Sequence, residues 1–179
     1  MKLDGMHVAV LAGEGVEDLE YWVTAMRLRE EGARVTSAGL AAGTVRGKHG
    51  LAVPVDVPVE ALDPLSLDGL VLPGGWMPDR LRRYPAVIAL VQAVHAAGRP
   101  IGIICHGGLL AITARIVAGS RATGSLGIKD DLENAGAIWV DAPAFRDATL
   151  VWGRVVEDIP AFCRELVAAL AESRPGRPA

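Results

Sequence analysis

Apolar and polar positions along this chain follow two rhythms. Short runs of Val, Ile, Leu and Ala, such as HVAVLA at His7–Ala12 and PIGII at Pro100–Ile104, give way to glycine-rich turns and then to stretches with helical spacing. A continuous apolar run bounded by turn residues is what a strand buried on both faces needs, whereas apolar residues three and four apart give a helix one buried stripe. The pattern predicts a strand over 7–12, a helix over 17–31 closed by Gly32, a strand over 34–38, and a hairpin within 43–56 turned at Gly47 and Gly50. It continues with a strand over 68–72, a helix over about 84–97, a strand over 100–104 and a helical stretch to about 116. A helix over 129–135, strands over 137–140 and 149–152, and a helix over 158–170 follow, and 173–179 reads as a frayed Pro/Gly/Arg tail.

Hydrophobic strands alternating with amphipathic helices imply an α/β fold with a mostly parallel sheet covered on both faces. In such sheets the ligand site lies beyond the carboxyl ends of the strands. Three glycine-rich turns, at Gly13–Gly15, Pro73–Gly75 and Cys105–Gly108, are therefore expected to converge on one crevice. A length of 179 residues suits one domain, over 1–172, with 173–179 as its tail.

Composition narrows the partners. With 51% hydrophobic and 22% charged residues the chain is globular, and its aromatic content of 4% leaves packing to aliphatic side chains. The net charge of -3 comes from interspersed charges without a Lys/Arg run, so nucleic acid is not an expected partner. No window approaches 18 uninterrupted apolar residues and the start lacks a signal-peptide pattern, which gives no membrane partner and a cytoplasmic location as expectations. The two cysteines, Cys105 and Cys163, show neither CxxC spacing nor a His/Cys cluster, so neither a disulfide scaffold nor a metal site is expected.

The chemistry concentrates at IGIICHGGLL, Ile101–Leu110. An apolar strand, a nucleophilic side chain, small residues and an apolar helix form the pattern of a nucleophile elbow, with Cys105 in the usual serine slot. A helix N-terminus aimed at the sulfur would depress the thiol pKa. Cys163, beside Phe162 and Leu166 on the last helix, reads as packing. The backbone N–H of His106 falls where elbow enzymes place an oxyanion donor, and its imidazole is a candidate base toward Cys105. No phosphate-binding glycine spacing is present, so no cofactor is expected.

The blocks GVEDLE (15–20), GKHG (47–50), LPGG (72–75), ICHG (104–107), GIKDDLENAGAIWVD (127–141) and DIPAF (158–162) make the chain resemble the ThiJ/PfpI superfamily, specifically its PfpI-like intracellular protease branch. The resemblance implies a flavodoxin-like three-layer sandwich of the class I glutamine amidotransferase-like type, a Cys nucleophile, and a homodimer that can build hexamers. It assigns the carboxyl partner of Cys105 to Glu17, where burial would keep the acid protonated as a donor to sulfur. Spacing alone would equally let Glu14, Glu17, Asp18 and Glu20 decorate a helix N-terminus. Gly75 becomes the second oxyanion donor. Asp79 occupies the position from which relatives supply a carboxylate to a neighbouring subunit's histidine, although a first-turn Asp after Pro78 is also ordinary helix chemistry.

Three departures stand out: Gly108 where the family commonly has Pro, Ser125-Leu126 where an aromatic-Pro pair is usual, and a bulky Trp76 after LPGG. Trp76 is expected to supply the pocket wall lost near Ser125. His49 reads as architectural or interfacial, and His7 and His95 belong to no constellation. The expected function is a cysteine-dependent, cofactor-independent hydrolase. It acts either as peptidase or amidase, or as glyoxalase or deglycase, on a small carbonyl compound, glycated protein or peptide. The competing expectation is a non-enzymatic stress protein or redox sensor oxidised at Cys105.

Overall fold

A computed structural model of the chain describes residues 1–173. Its strands are β1 (His7–Leu11), β2 (Arg34–Gly39), β3 (Gly43–Arg46), β4 (Ala52–Val55), β5 (Val57–Pro58), β6 (Gly69–Leu72), β7 (Ile101–Ile104), β8 (Arg121–Ala122), β9 (Ile138–Trp139), β10 (Ala144–Asp147) and β11 (Leu150–Gly153). The helices are α1 (Asp18–Glu30), α2 (Met77–Leu81), α3 (Pro85–Ala96), α4 (Gly108–Thr113), α5 (Lys129–Asn134) and α6 (Ile159–Glu172). Apart from Ser173, which closes α6, the expected tail lies outside the described residues.

Seven strands form the central sheet in the order β10, β11, β7, β6, β1, β2, β5, all parallel except β10 against β11. The four strands that read as continuous apolar runs, β1, β6, β7 and β11, are buried at every position. They require cover on both faces. Helices α1 and α6 pack together on one side, and α3 and α4 pack together over β6 and β7. Close helix approach depends on missing side chains: a Cβ at Gly102 or Gly153 would stand 3.0 and 2.9 Å from the Phe162 ring of α6. This is the covered, mostly parallel sheet the pattern predicts and the flavodoxin-like arrangement the family resemblance implies.

The structure differs from the pattern in short elements. The helix after Cys105 stops at Thr113 rather than near Ile116, because Arg115 turns to a φ of 59° and cannot continue a right-handed helix. Strands β5, β8 and β9 are two residues each, and β10 is added as an antiparallel edge. The β3–β4 hairpin forms its own two-stranded sheet. Backbone bonds hold it to the first glycine-rich turn: Gly15 N–H donates to Arg46 O at 2.9 Å and Lys48 N–H to Val16 O at 2.8 Å.

Candidate active site

The elbow begins where β7 delivers Cys105 into a left-handed conformation, with φ of 57°. For a residue with a side chain this conformation costs about 1–2 kcal/mol, so it persists only where surrounding contacts impose it. Those contacts need small neighbours. A Cβ on Gly107 would lie 2.1 Å from Leu72 O, and one on Gly74 would lie 2.8 Å from both Cys105 Cβ and Glu20 Oε2. The glycine-rich turns thus converge as expected, with Glu17 N–H donating to Gly74 O at 3.1 Å and Trp76 N–H to Gly15 O at 2.8 Å.

The carboxyl group at the thiol is that of Glu20. The assignment to Glu17 is corrected by the phase of α1, whose buried face carries Glu20, Tyr21, Thr24, Ala25 and Leu28. Glu20 is fully buried, accepts from Gly74 N–H through Oε2 at 2.6 Å, and lines the same cavity as Cys105, whose thiol its charge opposes on ionisation. Its Oε1 has no hydrogen-bond partner among the described residues. A buried carboxylate oxygen left without a donor is costly, and a proton on the group removes that cost. Burial accordingly pushes the Glu20 carboxyl up to about 7, against the opposing Gly74 N–H bond. Glu17 precedes α1 and is also buried in the lining of the same cavity, where its Oε2 lies 3.3 Å from His49 Nε2 and 3.5 Å from Lys48 Nζ.

The depressed thiol pKa is also corrected. Burial first, and then the negative charge of Glu20, push the Cys105 thiol up to about 12, outweighing the His106 and Gly75 N–H groups that favour the thiolate. Helix α4 is only six residues long, so its N-terminus gives too little field to reverse desolvation. The two groups form one acid pair. When the proton sits on Glu20, the charge that opposes the thiolate is gone and the carboxyl becomes a donor to sulfur.

The backbone N–H groups of His106 and Gly75 favour the Cys105 thiolate, and both residues line its cavity, where an oxyanion formed on an adduct would need donors. The His106 imidazole does not turn away from its neighbour: Nδ1 is 3.3 Å from Cys105 Sγ. Desolvation and then the positive charge of Lys48 push that imidazole down, toward its neutral form. Asp79 is exposed on α2, bonded to Arg83 at 2.5 Å, and does not line the thiol cavity. Cys163 is buried in contact with Thr24, as packing predicts.

A cavity of about 430 Å³ opens over the sulfur, with Glu20, Cys105, His106 and Gly75 at its floor and Trp76 and Ser125 both on its walls. Trp76 is therefore at the site, its side chain resting on Gly15. Lys48 and His49 also line the cavity, a position the hairpin-tip reading of His49 did not anticipate. They are placed by Asp18, whose buried carboxylate accepts from His49 N–H at 2.7 Å and Leu51 N–H at 2.8 Å. Among the described residues no group of three or more His, Cys, Asp or Glu side chains is arranged to hold a metal ion.

The DJ-1/PfpI family model matches residues 6–169. The chain belongs to the DJ-1/PfpI family. It is 40% identical over 165 residues to a deglycase of Pyrococcus abyssi, covering 92% of this chain and 99% of that one. It is 36% identical over 166 residues to protein/nucleic acid deglycase 2 of Escherichia coli, covering 91% and 96%. Among solved structures, Drosophila melanogaster DJ-1beta superposes with a TM-score of 0.87 at 24% identity, covering 94% of this chain and 92% of that one. At that identity the likeness shows the shared fold, and family membership rests on the model match and the closer sequences.

Proposed function

We propose that this DJ-1/PfpI-family enzyme is a glyoxalase or deglycase. In this reading Cys105 attacks an electrophilic carbonyl carbon and Glu20 carries the protons. The observation that supports it is the fully buried Glu20 carboxyl, anchored by Gly74 N–H at 2.6 Å in the cavity of the elbow sulfur and pushed by burial up to about 7. Relatives at 36–40% identity that carry deglycase names favour the same class.

The sequence of bonds runs as follows for methylglyoxal. The Cys105 thiolate forms a C–S bond to the aldehyde carbon while Glu20 gives its proton to the carbonyl oxygen, leaving a hemithioacetal and a carboxylate. That carboxylate removes the proton from the former aldehyde carbon. The resulting enediolate is held at oxygen by the Gly75 and His106 N–H groups. Glu20 returns the proton to the adjacent carbon, and the hydroxyl proton passes between the two oxygens, giving an S-lactoyl thioester. Water then attacks the thioester with Glu20 taking its proton, the thiolate leaves, and lactate is released. No outside oxidant or reductant is needed. For an amine adduct the first step breaks C–N instead, and Glu20 protonates the departing amine.

A peptidase reading has one specific observation in its favour, the 3.3 Å approach of His106 Nδ1 to Cys105 Sγ. It needs an imidazolium to protonate the leaving amine, and His106 is pushed toward the neutral form with no carboxylate hydrogen-bonded to it among the described residues. The test is turnover by purified wild type and Cys105→Ala on methylglyoxal and on a peptide amide. Cysteine-dependent lactate release supports the proposal. Cysteine-dependent amide cleavage without lactate replaces it with the peptidase, and no turnover on either substrate leaves the redox-sensor role.

A further inference from the structure

A second cavity, of about 370 Å³, adjoins the thiol cavity and shares Lys48, His49 and Trp76 with it. Arg46, at the end of β3, and Arg80, on α2, line this outer cavity, where both side chains are exposed. Neither guanidinium forms an ion pair among the described residues. One carboxylate, Glu14, also lines this cavity and accepts from the backbone N–H of Arg46 at 3.3 Å, against the three cations Arg46, Lys48 and Arg80; Glu17 is engaged with Lys48 and His49 at the inner cavity. A cleft lined by two guanidinium groups without ion-pair partners, sharing Lys48, His49 and Trp76 with the cavity of the reactive sulfur, concentrates anions, and arginine is the side chain best shaped to grip carboxylate or phosphate oxygens in pairs.

We propose that Arg46 and Arg80 form an anion subsite that receives a carboxylate or phosphate carried by the substrate while its carbonyl adduct reaches Cys105. The inference rests on the glyoxalase/deglycase reading for what happens at sulfur, and adds which adducts the enzyme prefers. Trp76 walls the passage between the two cavities, with Lys48 Nζ 6.0 Å from its ring centre. Free methylglyoxal, small and uncharged, would use only the inner cavity. An adduct on an anionic carrier would span both.

The test compares carriers that differ only in charge. Methylglyoxal adducts of N-acetylcysteine and its uncharged amide vary a carboxylate, and adducts of guanosine monophosphate and guanosine vary a phosphate. The ratio of kcat/KM, anionic over neutral, is read for wild type and for the double variant Arg46→Gln/Arg80→Gln. Because exposed ion pairs are weak and screened by salt, the wild-type ratio should be on the order of tenfold and should fall toward one in the double variant and at high salt. Whichever pair shows the preference identifies the anion. Binding of the four unmodified carriers to Cys105→Ser, read by calorimetry, keeps the inference testable without turnover. Cysteine-dependent turnover with a ratio near one, or anion binding equally strong in the double variant, would overturn the subsite. Absence of turnover on all adducts, with anion binding still dependent on Arg46 and Arg80, would instead remove the catalytic reading and leave the subsite standing.

Discussion

Glu20 makes folding sensitive to pH in a direction opposite to that of an ordinary paired carboxylate. Its folded pKa, about 7, lies above the usual 4.5, so the folded protein binds the proton more tightly than the unfolded chain. Its stabilising contribution is complete below about 4.5 and is lost as pH rises through about 7. A shift of that size corresponds to about 3 kcal/mol. Glu20→Gln keeps an acceptor for Gly74 N–H and cannot ionise. Its stability, measured by denaturant unfolding, should change little with pH between 5 and 8, whereas wild type loses on the order of 2–3 kcal/mol more over that window. Equal pH slopes would mean that Glu20 is not buried as an acid. At the same residue scale, alkylation of Cys105 by iodoacetamide should step up near pH 7 in wild type as the pair loses its first proton. That step should vanish in Glu20→Gln.

At the scale of elements, the site depends on how α1 and the β3–β4 hairpin are locked together. Asp18 accepts two backbone N–H groups of the hairpin tip, and a Cβ on Gly47 would lie 2.5 Å from its carboxylate. Asp18→Ala leaves those donors unmet, so it should cost about 1–3 kcal/mol and raise KM more than it lowers kcat, because Lys48 and His49 lose their position. Faster amide exchange at His49 and Leu51 would accompany it; unchanged exchange would show that the loop holds itself. The helix phase was legible in principle. Positions 20, 21, 24, 25 and 28 form one buried stripe, which puts Glu20 inside and leaves Glu17 before the first turn. The family block GVEDLE holds both acids, so the motif by itself does not separate Glu17 from Glu20. The thiol shift was not legible, since it depends on burial by segments distant in sequence.

Across the whole molecule, the apolar runs gave the long strands of the sheet because full burial leaves a strong signal. Two-residue strands and the edge strand β10 leave almost none. Cys105, His106, Gly75 and Trp76 meet at one cavity because three glycine-rich turns end adjacent parallel strands. Asp79 faces Arg83 and solvent in the protomer, so its catalytic part in an assembly is a proposal. If a second copy completes His106 in this way, dilution to a folded monomer should abolish activity; full activity in a verified monomer would rule the contribution out.

The measurement that bears most directly on the account is the pH dependence of kcat/KM for lactate formation in wild type, Glu20→Gln and Glu17→Gln. The Cys105–Glu20 pair predicts an ascending limb near pH 7 in wild type, retained in Glu17→Gln with at most a few-fold loss. In Glu20→Gln the limb should be absent and the rate lower by about 10²–10⁴, the usual worth of a positioned acid–base group. Full activity in Glu20→Gln, with the loss falling on Glu17→Gln instead, would contradict it.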